Sequence, residues 1–476
     1  MRPGDVDPTC HRLTSLSYGI SWVFRQKENT SALIPQATRV YTNLGWVYLL
    51  GGRYIPLLKN ETRLGQEFQS TIPGYEPYYQ LTADHHILQH YTRSKMSLQL
   101  GKPSFGGKLV KPVSRNTART LHKMLGDSQE WSRILIRETA GATLSEAAGS
   151  LFYGPDIAAD PEFGESVLRY LTFSIAGMPK LHLWPQCLRP IVHWLLPTCR
   201  AARAELAKSR ARLTLLLVKQ KKERQKADDL DQIDVFSFIE TLPPDQRGDP
   251  ACLAIALTIA ATHTTATLLT TIIYQICKHP DLIEPLRAEI RSVIQEHGWT
   301  KAGITKLRLM NSVMKETNRL SPLSQAIMRR VATADVPLNR DLTIPKGAIT
   351  MTSTLDTMWD PQIYPDPQKF DGYRYLNLAK QDPYWNRTSS FVATSPESLG
   401  FGLGKEACPG RFIADLEIKL ILCYLLTHYD IKLPGGITAK PRYEGVFLLL
   451  DPGDILIRRR PEEEAKFPDW SHDDQV

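Results

Sequence analysis

From Ala251 to about Lys278 the chain is apolar on nearly every side, with no glycine or proline between. A helix of that pattern is buried all round rather than along one stripe. Asp249 and Pro250 suit its cap and first turn. About 28 residues at 1.5 Å each span roughly 40 Å, enough to cross a domain. The pattern therefore predicts a central core helix.

Around it the texture changes in blocks. Short apolar runs at Trp46–Leu50 and Tyr54–Leu58 suit strands. Pro77 to Leu242 reads as mostly helical, rich in Ala, Leu, Arg and Lys. Within it, Leu181 to Pro197 is apolar, broken by prolines and carries two tryptophans; it reads equally as a buried helix-loop-helix or as a lid or membrane-dipping loop. Helices over Pro280–His297 and Thr305–Leu320 follow, then a β region over Ala326–Ser353 that turns at Ile344–Gly347. A last helix starts near Arg411 and runs to about Tyr429, and a strand pair closes the chain. No internal repeat or long linker interrupts this order, which favours one large, mainly α domain with a smaller β region.

Composition narrows the function classes. Apolar content of 42% and charged content of 23% are those of an ordinary globular protein. The net charge of +8 is concentrated in Arg200–Lys226, where only Glu205 and Glu223 are acidic. Aromatic residues are not interleaved there as nucleic-acid stacking would need, so the run reads as one solvated helix face and no nucleic-acid partner is expected. Seven cysteines, none in a Cys-x-x-Cys pair, exclude a zinc ribbon and favour a reducing compartment. No apolar run approaches the roughly 20 residues of a spanning helix.

The candidate chemistry lies in FGLGKEACPGRF, Phe401 to Phe412. Glycines at 402, 404 and 410 permit close backbone approach, with Gly404 and Gly410 expected in dihedrals that other residues resist. Pro409 stiffens the chain just after the sulfur. The helix from Arg411 would turn its N-terminal amides towards Cys408 and favour a thiolate. A rigidly held lone thiolate suits heme iron, whose in-plane bonds come from the porphyrin.

This stretch resembles the cysteine-ligand loop of the cytochrome P-450 family, heme-thiolate monooxygenases, written Phe-Gly-x-Gly-x-x-x-Cys-x-Gly. Three further segments resemble the family in order and spacing. Glu316 and Arg319 in KETNR match its Glu-x-x-Arg pair, with Arg374 as the later arginine of that network. Ala260-Ala261-Thr262-His263-Thr264-Thr265 resembles the oxygen-binding motif, His263 standing where an acid is usual. Arg330, with Asp335 and the turn at Ile344–Gly347, resembles the segment that supplies a cation to a heme propionate; Arg329 is its neighbour in register. One departure is Glu406, where the family places Arg or His near a propionate; His85, His86 or Arg93 would supply other such contacts.

The resemblance implies a chain with heme b (iron protoporphyrin IX) on Cys408, cradled by Phe401, Gly402, Gly404 and Gly410. Thr264, Thr265 and His263 are then the catalytic residues. It implies insertion of one oxygen atom from O2 into a small apolar molecule, with electrons from NADPH through a cytochrome reductase. The run from Tyr170 to Pro197 resembles fungal members acting on terpenoids and related secondary metabolites. An isomerase or dehydratase of the same fold, or a heme binder without catalysis, is the alternative. The expected layout is an N-terminal segment over 1–40 without the family's usual membrane anchor, a heme domain over 41–460 and a polar tail over 461–476. The same resemblance implies a monomer at the cytosolic face of the endoplasmic reticulum, either soluble or in peripheral contact with the membrane.

Overall fold

The computed structural model describes residues 37–42, 45–65, 85–97, 103–227, 234–340, 342–435, 439–444, 447–451 and 453–461. Helices dominate and strands are few, the mainly α class expected. The contacts group into two units: residues 1–72, 311–408 and 440–451, and residues 73–310, 409–439 and 452–476.

The first unit is built on a five-stranded sheet. In spatial order it runs Ala37–Thr42, Gly45–Leu50, Ile349–Ser353, Ala326–Ala332 and Leu64–Gly65. All neighbours are antiparallel except Gly45–Leu50 with Ile349–Ser353, which run parallel. Strand Ala326–Ala332 alternates buried and half-buried residues, the period-2 pattern of a one-sided strand. Its register slips between Ile327 and Arg330, where Met328 takes a left-handed φ of 55°, the sign of a bulge that re-aims the arginines after it. Buried Leu50, Tyr54, Ile55, Leu58, Met328 and Leu403 belong to one apolar cluster. The expected strand at Tyr54–Leu58 is instead helical: Gly52–Tyr54 form a 3-10 turn and Ile55–Leu58 an α turn. Pro56, in its first turn, presets the helical φ there.

The second unit holds the long helices. Pro250–Lys278 starts as expected, Asp249 Oδ1 accepting the N–H of Ala251 at 2.8 Å and of Cys252 at 3.1 Å. It packs along Ile136–Tyr153, which in turn meets Pro103–Leu125. The expectation that no segment is long and apolar enough to span a membrane needs correction, because Pro250–Lys278 meets that test by length and composition. Its most apolar 18-residue window is 56% buried inside the protein, the mark of a core helix. Pro161–His182 and Pro197–Ala227 pack together. On the latter Cys199, Ala202, Leu206 and Leu213 are buried while Lys208, Lys219 and Lys221 face solvent, so the basic run is a solvated face. Strands Ser132–Leu135, Asp454–Arg459 and Tyr429–Lys432 form a three-stranded antiparallel sheet; Ser132–Leu135 was not anticipated. In the first unit Lys440–Glu444 and Phe447–Asp451 form the expected terminal pair.

Two carboxyl groups of the second unit, half-buried Glu289 and buried Glu417, are treated differently. Glu289 accepts the N–H groups of Leu309 at 2.6 Å and Met310 at 3.0 Å. Glu417, on helix Arg411–His428, is 1% exposed with no hydrogen-bond partner at either oxygen. Burial pushes its carboxyl up to about 8 from 4.5. The folded chain therefore holds a proton that the unfolded chain releases between those two pH values. That contribution to stability is complete below about 4.5 and is lost as pH rises through about 8. Melting curves of the wild type and Glu417→Gln are expected to diverge with pH, the variant gaining relative stability from pH 5 to 9. A constant difference in Tm across that range would contradict a buried neutral carboxyl.

Candidate functional site

The loop from Phe401 to Cys408 is held by its own backbone. Gly402 and Gly404 both take left-handed φ, 74° and 75°. Gly410 does not; its φ of −85° is ordinary, and Gly402 takes the role expected of it. A Cβ at Gly404 would come within 2.9 Å of the Lys59 carbonyl oxygen, so the bare backbone is needed there for space as well as for φ. Gly402 N–H donates to Leu399 O at 2.8 Å and Ala407 N–H to Gly404 O at 3.2 Å. Cys408 N–H donates to Phe401 O at 2.7 Å, closing the loop. Cys408 is half-buried and in no disulfide. Three residues on in the chain, helix Arg411–His428 begins, with Gly410 O accepting from Ile413 and Ala414 N–H at 3.0 Å.

Glu316, Arg319 and Arg374 come together in the first unit, nearly sealed from solvent. Arg319 grips both carboxylate oxygens, Nε to Oε2 at 2.8 Å and Nη2 to Oε1 at 2.9 Å. Arg374 Nε donates to the same Oε1 at 3.0 Å. The remaining donors go to backbone carbonyls: Arg319 to Met358 and Pro367, both at 2.6 Å, and Arg374 to Pro365 at 2.6 Å and Lys369 at 3.0 Å. A buried ion pair survives only when its leftover donors are satisfied, and these carbonyls do that. The network thus ties one helix to the irregular chain between Met358 and Arg374.

Arg330 is buried, while its neighbour Arg329 is half-buried. Burial draws Arg329 below the usual arginine range. Asp335 Oδ1 accepts the Lys346 N–H at 2.8 Å and so anchors the turn at Ile344–Gly347, where Gly347 has φ 79°.

In the second unit the middle of helix Pro250–Lys278 is unlike its ends. Ala251–Ile255 and Thr265–Cys277 are buried, but Ala260 and Thr264 are exposed and Ala261, Thr262 and His263 half-exposed. Ala260 and Thr264, four apart, share one face. The Thr264 hydroxyl donates to Ala260 O at 2.7 Å. The Thr262 hydroxyl is buried with no protein partner. Thr265 is buried, away from the open face. Arg93 follows helix His85–His90, half-buried. The side chains of His85, His86 and Glu406 lie outside the described residues.

The residues present fit heme. Within the first unit, a loop with a soft thiol donor and no bulk at Gly402 and Gly404 and a buried guanidinium at Arg330 are what that group needs. Lys315 and Phe391, each 2% exposed, carry no distinct signal in the sequence: one reads as any lysine of an amphipathic helix and the other as any core aromatic, and only their packing sets them apart.

The family description "Cytochrome P450" matches residues 81–458. Cytochrome P450 monooxygenase pyr3 of Aspergillus fumigatus is 35% identical over 443 residues, 90% of this chain and 83% of its own. Cytochrome P450 monooxygenase esdpG of Penicillium shearii is 33% identical over 435 residues, 89% and 86%. A P450 monooxygenase of Gibberella fujikuroi is 32% identical over 440 residues, 90% and 98%. Proteins of this family carry heme b and draw electrons from NADPH through a reductase. The chain belongs to the cytochrome P450 family and is a monooxygenase of the kind fungi use in secondary metabolism.

Proposed function

We propose that this monooxygenase oxidises a small apolar molecule, a terpenoid or related metabolite, with Cys408 as the thiolate ligand of heme iron. The observation that carries the assignment is the closed loop at Cys408, whose amide is locked to Phe401 O and whose glycines admit close approach. When bound, heme supplies the oxygen-activating chemistry. Arg330 would offer a guanidinium to a propionate of that group, and Glu316, Arg319 and Arg374 brace the chain between Met358 and Arg374. By the family resemblance, the small side chains of Ala260 and Ala261 would leave room for dioxygen. Thr264 is the hydroxyl that would hold a proton at the reaction centre, with His263 beside it as a further proton carrier, since free imidazole exchanges protons near pH 6.5; Thr265, buried away from that face, takes no proton role.

The Thr264 assignment is tested by Thr264→Ala in the reconstituted system with NADPH and reductase. NADPH consumption is expected to continue while product per NADPH falls about a hundredfold or more, the order of the 10²–10⁴ worth of a positioned proton donor. Unchanged coupling would refute the role, and product formed without NADPH would favour an isomerase or dehydratase instead.

The chain is further read as a monomer over residues 41–460 that contacts the cytosolic face of the endoplasmic reticulum peripherally. Supporting this, Leu183, Trp184, Leu188, Ile191, Trp194 and Leu195 are all exposed, on and beside helix Arg189–Leu195. The buried helix-loop-helix reading does not suit that exposure. Arg203 lies over the Trp194 ring at 4.1 Å, and Lys180 and Arg200 face solvent nearby in the chain. Apolar rings rimmed by cations suit an anionic interface. Trp184→Ser with Trp194→Ser is expected to weaken sedimentation with phosphatidylcholine–phosphatidylserine vesicles several-fold, with the CO spectrum unchanged. Wild-type sedimentation by the double variant would remove this contact.

A further inference from the structure

Lys315 stands immediately before Glu316 in the chain and is 2% exposed. Its Nζ donates to three backbone carbonyls: Thr388 O at 2.7 Å, Ser390 O at 2.9 Å and Ala393 O at 2.8 Å. The same nitrogen lies 5.3 Å from the centre of the Tyr375 ring. An ammonium has three N–H donors, and here each has an acceptor. The chain from Thr388 to Ala393 is therefore wrapped round one buried cation. Burial draws Lys315 down to about 7, so the charge is costly here, and the carbonyl dipoles with the ring offset that cost.

The wrapped segment reaches the cysteine loop. Phe391, inside the wrap and 2% exposed, meets the Phe401 ring edge-on, with centroids 5.1 Å apart at 78°. Such T-shaped pairs are directional, worth about 0.5–1.5 kcal/mol beyond their area. Phe401 in turn accepts the Cys408 amide through its carbonyl at 2.7 Å. The neighbouring network does not share this work. Arg319 and Arg374 reach carbonyls between Met358 and Lys369 and none in the Thr388–Ala393 wrap. Two consecutive side chains of one helix thus hold two different segments.

We propose that Lys315 is a positioning residue for the Cys408 sulfur, acting through the Thr388–Ala393 wrap and the Phe391–Phe401 ring contact. The inference rests on Cys408 being the iron ligand, and it makes Lys315 distinct from the fold-bracing group of Glu316, Arg319 and Arg374. A lysine with only a structural role would loosen the unit as a whole; a positioning lysine loosens the loop selectively.

Lys315→Met keeps length and apolar bulk but removes all three donors. Amide hydrogen exchange is read across the chain in heme-free and heme-loaded protein, together with the reduced CO spectrum of the loaded protein. Exchange at Phe401–Cys408 is expected to rise about tenfold, the order of one hydrogen bond lost, while Gly45–Leu50 and Ile349–Ser353 of the same unit keep wild-type rates. The thiolate-type Soret band is expected to decay to the ordinary position several-fold faster than in wild type. Unchanged exchange at Cys408, or an equal rise throughout the unit, overturns the proposal. If Lys315→Met does not accumulate folded, Phe391→Leu takes its place: it keeps the buried charge, breaks the ring contact and is held to the same outcomes. Should the wild type itself lack a thiolate-type band, the ligand assignment fails on that observation alone, whereas selective loosening of the loop is still read from the heme-free exchange.

Discussion

Replacing Cys408 by alanine is expected to abolish both the red-shifted Soret band of the reduced, CO-bound protein and all product formation. The reason is chemical. A thiolate donates charge to heme iron as no other side chain of this loop can, and the residues next to it, Ala407 and Pro409, offer no donor atom. The backbone should tolerate the change. Cys408 contributes its amide, not its sulfur, to the bond with Phe401 O, and alanine keeps that amide. The variant should therefore fold with wild-type helical content, so that loss of the band reports ligation rather than collapse. Circular dichroism and the CO difference spectrum on one preparation check this. Retained turnover in the alanine variant, or a wild-type band at the ordinary position, would sink the assignment.

Glu316→Ala should be the most destabilising single change in the first unit. It removes the one carboxylate that two buried guanidinium groups share, Arg319 at 0% and Arg374 at 8% side-chain exposure. The backbone N–H of Asp371, 3.2 Å from the same Oε1, loses its acceptor too. Breaking a buried pair from one side costs about 3–5 kcal/mol, because the uncompensated charge stays behind. The expected result is a chain that accumulates poorly or melts many degrees lower, with or without heme. Glu316→Gln should fall between, keeping an acceptor oxygen without the charge. Thermal scans of the heme-free variants decide it: a Tm within a degree of wild type would show that the network contributes little.

Several readings came from chemistry that the chain writes locally. The cap at Asp249, the uninterrupted apolar run behind it and the basic face of Pro197–Ala227 all appear where adjacent residues place them. The turn at Ile344–Gly347 likewise follows from Pro345 and Gly347. Where local signals competed, they misled. Tyr54–Leu58 is apolar enough for a strand, yet Pro56 and the place of Leu58 in the buried cluster that also holds Met328 and Leu403 favour a helical turn. Gly410 resembles Gly402 in sequence, but only the latter sits where the chain must reverse with positive φ.

By itself the sequence determined the class of the fold, the cysteine at the heart of the site and the acid–arginine spacing beside it, because helix periodicity, caps and a glycine-framed thiol are properties of neighbouring residues. Tertiary structure alone decided what the buried charges hold. Arg319, Arg374 and Lys315 end on carbonyl oxygens up to 78 positions away, and every residue carries the same carbonyl, so no side-chain pattern announces it. The orphaned carboxyl of Glu417 and the exposed tryptophans at 184 and 194 belong to the same category. Burial depends on what packs around a residue, and that is settled only when distant segments meet.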